Sequence, residues 1–255
     1  MIAQLRSPFL VIAISFGLMW LSVRAGVLLR RRHRELDSEV CKDLELILAS
    51  TLTLLGLIIG FSFSMAINRY DQRKNYEEAE ANAIGTEYLR VDLLPAPDAA
   101  KLRPLLRDYL DQRILFYESR DQQELQRVTQ RTAKLQADLW SGVRVPAAAQ
   151  PNPALALVLS GMNDVLNSEG YTQAAWWNRT PIGAWGLMAT VAICSCTLFG
   201  YIVHRAAVGF ILLLILPIVL SIAFFLIADI DSPRSGAIRI LPQNLISLAQ
   251  SLQQR

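Results

Sequence analysis

The sequence predicts an all-α integral membrane protein with four transmembrane helices in two pairs and a helical extramembrane domain between them. Four apolar stretches contain no charged residue, and each is close to the roughly 20 residues that a helix needs to cross a bilayer. The block between the second and third stretches holds most of the acidic residues and more than half of the basic ones. Of the 255 residues, 53% are hydrophobic and 18% charged, a composition too apolar for an ordinary soluble domain.

The first membrane pair is predicted at residues 7–23 and 46–68. The first stretch extends to Leu29 if the guanidinium of Arg24 reaches the interface. It ends in the basic cluster 30–34 and lacks a small-residue cleavage site, so a retained helix is favoured over a removed signal peptide. Since lipid offers the backbone no hydrogen-bond partners, each of the four stretches is expected to be helical.

The second membrane pair is predicted at 180–203 and 206–228, joined as a tight hairpin by His204 and Arg205. Tryptophans near the start of this pair are expected in an interfacial aromatic belt: Trp176, Trp177 and Trp185.

The block at 69–179 is predicted to consist of helices. No Gly or Pro occurs between Phe61 and Ile84, so the second span is expected to continue unbroken to about Asp92. Further helices are predicted at 98–119, with Asp98 as N-cap and Pro104 as a kink or a later start, at 121–142, and from Ala154 toward Gly170, after a proline-rich linker at 145–153.

The C-terminal segment 229–255 is predicted to form a turn and a short amphipathic helix. Leu245, Leu248 and Leu252 share one face of residues 243–255, which suits an interfacial or packing helix. The expected organisation is therefore a first membrane pair at 1–68, the helical domain at 69–179, a second pair at 180–228 and this tail.

Five short strings in the sequence are distinctive: GFSFSMA at 60–66, RYDQR at 69–73, EAEANAIGT at 78–86, YLR at 88–90 and DIDSPRSG at 229–236. Together they resemble the bacterial bestrophin-like domain family, whose members are four-helix membrane proteins of unassigned function. The last string more often reads Asp-Leu-Asp-Arg-Pro-Phe-Ser-Gly in the family, so Ser232 and Arg234 depart from it. The resemblance covers nearly the whole chain.

A more distant resemblance connects the sequence with true bestrophins, which are pentameric anion channels. Both have two plus two membrane helices, and both have a Gly-Phe pair in the second span followed by an Arg-Tyr-rich stretch. Bestrophins place a Trp-Glu-Gly-like element after that Tyr, whereas Asp71 and Gln72 stand here, so gate residues are not carried over one by one. The resemblance implies a homo-oligomer, with five subunits by analogy alone.

One face of the second span is the candidate pore lining. Small hydroxyl residues with one or two aromatics suit a weakly polar line with an apolar constriction, for which Phe61 and Ile58 are the candidates. The alternative is that Gly56, Gly60 and Ser64 form a small-residue stripe for helix packing. The candidate pore-lining residues are Ser50, Thr53, Leu57, Ile58, Gly60, Phe61, Ser64 and Asn68.

Two sets of charged and polar residues outside the spans admit two interpretations each. The first set reads either as a solvated helix face with surface ion pairs or as an ion vestibule or domain contact: Arg69, Arg73, Glu80, Asn82 and Arg90. Asp229 and Asp231 are expected to cap backbone donors of a turn, with cation binding as the alternative.

No cluster of residues predicts an enzyme, a metal site or a cofactor, and no basic face predicts nucleic-acid binding. The expected partners are the lipid bilayer, further copies of the chain and, in an alternative, a protein bound at the helical domain. The location expected is the bacterial inner membrane.

An even number of spans places both termini and block 69–179 on one side. Basic cluster 30–34 favours the outside for that block, whereas the bestrophin arrangement favours the cytoplasm, and the side stays open.

The functional hypothesis is a passive channel, selective for anions, with the second span lining the pore. The spans at 46–68, 180–203 and 206–228 contain no ionisable Asp, Glu, His, Lys or Arg, which argues against proton-coupled transport. The alternative is a membrane-anchored scaffold or sensor whose helical domain binds a protein partner.

Overall fold

A computed structural model describes residues 8–32, 38–149, 152–203 and 210–254. The described residues form eight α-helices and one short 3-10 helix, Val91–Leu93. The helices are α1 Pro8–Arg32, α2 Ser38–Arg90, α3 Ala96–Glu118, α4 Gln122–Ala149, α5 Pro153–Trp177, α6 Ile182–Ile202, α7 Phe210–Asp231 and α8 Gln243–Gln253. Ser7, the hairpin residues His204 and Arg205, residues 206–209 of the fourth predicted span and Arg255 lie outside the described residues.

Four candidate membrane spans lie within Pro8–Arg32, Glu39–Leu93, Pro153–Ile202 and Phe210–Asp231. The apolar part of the third is α6, which contains no charged residue. The predicted fold class, an all-α multi-pass membrane protein, is therefore confirmed. Helix α2 is 53 residues long, or about 80 Å at a rise of 1.5 Å per residue, far more than the ~30 Å of hydrocarbon. Only its apolar part at 46–68 lies in the hydrocarbon, and the part that follows extends into the helical domain.

Helix α2 runs from Ser38 to Arg90 without interruption, as the absence of Gly and Pro between Phe61 and Ile84 predicts. It passes into the 3-10 turn Val91–Leu93 and stops before Pro95. The prediction of one unbroken helix to about Asp92 is confirmed.

Three predicted boundaries in the helical domain are wrong. Helix α3 has Pro95 as its N-cap, and Asp98 lies inside the first turn, where its carboxylate still suits the helix dipole. Helix α4 continues through Pro146 into the predicted linker, because the alanines at 147–149 are strong helix formers. Helix α5 continues past Gly170 to Trp177, a region rich in alanine and held by packing.

The chain divides into two compact units. One comprises the described residues of Met1–Arg69 and Arg179–Arg239, and the other those of Tyr70–Asn178 and Ile240–Arg255. In the first unit α1 packs against α6 and α7. Gly26 and Gly200 allow the closest approach, since a Cβ at Gly26 would overlap the carbonyl oxygen of Thr197 and one at Gly200 would overlap that of Val23.

The second unit has a continuous apolar core. It is built from Leu102, Leu106 and Leu110 of α3, Leu135 and Leu139 of α4, and Val158 and Met162 of α5, all buried. Helix α8 belongs to this unit and buries Leu245 and Leu252, so the C-terminal helix is a packing helix. Trp176 is buried against Phe116 and Tyr117 with ring centroids 5.0 and 5.5 Å away. Its predicted place in an interfacial belt is therefore wrong, because it completes the core of the helical domain.

Candidate functional site

The spanning part of α2 has a buried face and an exposed face. Leu55, Ser62 and Ala66 are buried and follow one another at the spacing of one helix face. The candidate pore-lining residues lie on the opposite side. Ile58 is half-buried at its edge, and the others are exposed: Ser50, Thr53, Leu57, Gly60, Phe61, Ser64 and Asn68.

This exposed face is smooth and only weakly polar. Among the described residues, no atom outside the neighbouring backbone of α2 lies within 4 Å of the position that a Cβ would take at Gly56 or Gly60. The hydroxyls of Ser50 and Thr53 donate to the carbonyl oxygens of Leu46 and Ala49 at 2.8 and 2.9 Å. These hydroxyls can therefore stay in a dry environment or accept hydrogen bonds from water or an ion's hydration shell.

Arg69 marks the end of the span and is tied to the loops of the first unit. Its Nε donates to Asp231 Oδ1 at 3.0 Å and its Nη2 to Thr180 Oγ1 at 2.6 Å. Asp231 also accepts from the backbone N–H of Thr180 at 2.9 Å. A charged pair this well satisfied can stay at the membrane boundary without an exposed charge on either side chain.

Asp229 organises the turn that follows α7. Its two carboxylate oxygens accept from the backbone N–H groups of Ala237 and Ile238 at 2.7 and 2.8 Å. A Cβ at Gly236 would lie 2.7 Å from Asp229 Oδ1, so only glycine fits where the turn closes on this carboxylate. The N–H donors occupy the oxygens, which favours turn capping over cation binding.

After Arg69, one face of α2 carries charged side chains that are buried in the helical domain. Arg73 is fully buried, and its guanidinium donates to the carbonyl oxygens of Ala175 at 3.0 Å and Asn178 at 2.8 Å. These two carbonyls close the C-terminal end of α5, where a cation is favoured by the helix dipole.

Glu77 caps the N-terminus of α8, as Arg73 caps the C-terminus of α5. Its carboxylate accepts from the backbone N–H groups of Asn244 and Leu245 at 2.9 and 3.0 Å and from Asn244 Nδ2 at 2.6 Å. A buried carboxylate at a helix N-terminus is favoured by the same dipole. Glu77 therefore fixes the C-terminal helix to α2.

Glu80 lies at the centre of a buried polar cluster. Its carboxylate pairs with Arg113 of α3 and accepts from Tyr117 OH at 3.2 Å and Thr172 Oγ1 at 3.1 Å. Glu169 adds a second carboxylate 3.7 Å from Arg113 Nη1. Burial alone would lower the pKa of Arg113, but Glu80, Tyr109 and Glu169 together raise it, so the guanidinium stays charged.

Glu87, one turn before the end of α2, is a buried carboxyl of a different kind. Neither of its oxygens has a hydrogen-bond partner among the described residues. A Cβ at Gly161 of α5 would overlap Glu87 Oε2 and the Arg90 guanidinium, so the glycine makes room for both. Burial raises the pKa of Glu87 from its ordinary 4.5 to about 8, while Arg90 lowers it and Asp164 raises it.

The interpretation of this segment as a solvated helix face is wrong for its inward residues. Arg73, Glu77, Glu80 and Glu87 are all buried, whereas Lys74, Glu78 and Asn82 are exposed. Glu77, Glu87 and Arg113 were absent from the sequence-based candidates. The signal that could have found the two glutamates is the three-and-four spacing of Arg73, Glu77, Glu80, Ile84 and Glu87 on one helix face.

The sequence matches the profile of the Bestrophin-like domain over residues 9–245. A match over nearly the whole chain shows that this protein belongs to the Bestrophin-like domain family, which confirms the resemblance seen in the sequence.

Solved structures share the fold at low sequence identity. A crystal structure of a point variant of a bacterial bestrophin homologue from Klebsiella pneumoniae is 14% identical with a TM-score of 0.61, covering 95% of this chain and 96% of that chain. Another crystal structure of a bestrophin homologue from this organism is also 14% identical with a TM-score of 0.61, covering 96% of each chain. A crystal structure of a membrane protein variant is 13% identical with a TM-score of 0.64, covering 96% of this chain and 97% of that chain. No curated protein matches the sequence.

Proposed function

We propose that this protein is a passive ion channel, selective for anions, whose pore is lined by α2 in a homo-oligomer of the bacterial inner membrane. The observation that carries the proposal is the direction of the weakly polar face of α2. The hydroxyls, glycines and Phe61 lie opposite Leu55, Ser62 and Ala66, the side chains that α2 buries. A face of this composition suits the axis of an oligomer, where it meets water and permeating ions.

The absence of charged residues from the spans at 46–68, 180–203 and 206–228 supports passive conduction. None contains an Asp, Glu, His, Lys or Arg that could relay protons or couple an ion gradient. At the end of the span the charge of Arg69 is already matched by Asp231. Selection by a ring of charged side chains within the membrane is thereby disfavoured, and selection by size and dehydration at an apolar constriction is favoured.

Phe61 is the residue we assign to that constriction. Its side chain is 63% exposed within the protomer, so the protomer itself does not require it for packing. Ile58, one turn earlier, is half-buried at the edge of the same face and would flank the ring. An aromatic ring in a narrow pore excludes water more readily than the glycine and hydroxyl residues around it.

The testing experiment is a planar-bilayer recording of purified, reconstituted protein in chloride and potassium gradients. Phe61→Ala is expected to raise single-channel conductance severalfold or to change rectification, because it removes the ring from the narrowest point. Phe210→Ala on α7 is the matched control, since Phe210 is 61% exposed and lies outside the proposed pore; it should conduct as the wild type does. Equal currents from both variants would contradict the assignment of Phe61.

The alternative function is a membrane-anchored scaffold or sensor. The observation in its favour is that the helical domain exposes large apolar side chains, among them Leu89, Leu93 and Leu157. A wild-type protein that passes no current in either gradient, at any voltage or pH tried, would leave this function as the better account.

A further inference from the structure

The first unit contains a cavity of about 450 Å³ between α1, α6 and α7. Its walls are mostly apolar, with Ile14 and Leu18 of α1, Ala189 and Ile193 of α6, and Phe224 of α7. The cavity is open at the protein surface, since Ile14 and Leu18 are exposed, and its apolar lining offers water few polar partners.

The cavity is about as deep as one leaflet of a membrane. Its lining along α6 runs from Ile182 to Ile193, which at 1.5 Å per residue is about 16 Å, against ~15 Å for half of the hydrocarbon core. Trp185, packed edge-to-face on Phe224 with ring centroids 6.1 Å apart, lines the same end as Ile182. A tryptophan at this depth is typical of the boundary between acyl chains and headgroups.

The mouth of the cavity is polar and carries a positive charge. It is lined by Arg179, Thr180, Asp231 and Ser232. The carboxylate of Asp231 is matched by the Arg69 guanidinium and by the Thr180 N–H. Two basic side chains, Arg69 and Arg179, and one acidic side chain, Asp231, meet at this mouth, so it has a net positive charge that complements an anionic headgroup.

We propose that this cavity binds one acyl chain of a membrane phospholipid whose anionic headgroup lies against Arg179. Within a bilayer the chain gains no hydrophobic energy by moving from lipid to protein, so its residence rests on packing in the cavity and on the headgroup charge. The site is independent of conduction through the oligomer axis, and a second copy of the chain is the competing occupant of the groove.

Native mass spectrometry of the purified protein, supplied with dioleoyl phosphatidylglycerol or dioleoyl phosphatidylcholine, tests this site. We expect the wild type to retain one phosphatidylglycerol per protomer, and Ala189→Trp to lose it because the indole fills the cavity. Ala13→Trp is the matched control, since Ala13 is exposed on the opposite face of α1 and should leave retention unchanged. Retention by Ala189→Trp equal to that of the wild type would overturn the proposal.

The headgroup is tested by the preference for phosphatidylglycerol over phosphatidylcholine. Arg179→Gln should reduce that preference about fivefold, the effect of one basic residue at a membrane surface, and Arg144→Gln in the exposed part of the helical domain should not. An unchanged preference in Arg179→Gln would overturn the assignment.

A photoreactive benzoylphenylalanine at Ile193 provides a measurement that keeps the cavity otherwise intact. Lipid adducts support the proposal, and a protomer–protomer product in their place would show that a second copy fills the groove.

Discussion

Glu87 combines full burial with two carboxylate oxygens that lack hydrogen-bond partners among the described residues. Such a group keeps its proton because burial penalises the charged form, and the pKa of Glu87 accordingly rises to about 8. The unfolded chain would ionise this carboxyl near its ordinary 4.5. Between those two values the folded protein holds a proton that the unfolded chain has released, so stability falls as pH rises toward 8.

Glu87→Gln should therefore stabilise the protein at pH 8 and have little effect at pH 5. The amide keeps the shape of the protonated carboxyl but cannot acquire a buried charge. We expect the apparent melting temperature at pH 8 to rise by a few degrees, measured in detergent by intrinsic fluorescence. Glu78→Gln, exposed on the same helix, is the control and should shift neither value. Destabilisation of Glu87→Gln at both pH values would contradict the protonated state.

The buried ion pairs show where residue-level prediction stops. Arg69 and Arg73 were predictable as contact residues from their position after the span, although their partners were not. Glu80 and Arg113 are 33 residues apart in the sequence, and a run of acidic residues on a long helix is more often solvated than buried. Only the packing of α3 against the inward face of α2 decides that Glu80 is a core residue.

At the scale of the elements, continuity was easier to predict than termini. The absence of Gly and Pro between Phe61 and Ile84 predicts α2 as one helix, because no residue there interrupts its hydrogen bonds. Pro146 lies in the segment predicted as a linker and Gly170 near the predicted end of a helix, yet α4 and α5 pass through them. Local penalties of ~1–3 kcal/mol for Gly and Pro are overcome where alanines and buried side chains on either side stabilise the helix.

The closest approach of α1 and α6 gives a prediction for this pair of helices. Gly26→Ala should destabilise the protein, because the new methyl group meets the backbone of Thr197 and Tyr201, which cannot move as a flexible side chain would. We expect the apparent melting temperature to fall by roughly 5 °C or more. Gly17→Ala on the same helix is the control, since no atom lies within 4 Å of its Cβ position. Equal stability of the two variants would show that the helices do not meet at Gly26.

At the scale of the whole molecule, hydropathy determines most of the fold. Uncharged stretches of membrane length must be helical, and the charged block between them must lie outside the lipid, so the fold class follows from composition alone. Hydropathy does not determine which way the weakly polar face of α2 points. Ser50, Thr53 and Ser64 would suit a packed interface within one protomer equally well. Only their exposure in the structure makes them available for the proposed oligomer axis.

The homo-oligomer is the property on which the channel proposal depends most directly. Gly56 lies on the side of α2 between the buried face and the proposed pore-lining face, and among the described residues outside the backbone of α2 no atom lies within 4 Å of its Cβ position. A glycine on this side allows a helix of a neighbouring protomer to approach closely, and such packing is the main attraction between helices in lipid. We therefore expect native mass spectrometry in mild detergent to show one oligomer over a wide range of protein concentration. Gly56→Leu should weaken each interface about tenfold, because overpacking costs ~1–3 kcal/mol, while leaving the protomer folded. Gly183→Leu on α6, where a Cβ also meets nothing, should assemble as the wild type does. Monomer alone at every concentration would remove the axis along which ions are proposed to pass, and the face of α2 would then belong to the lipid.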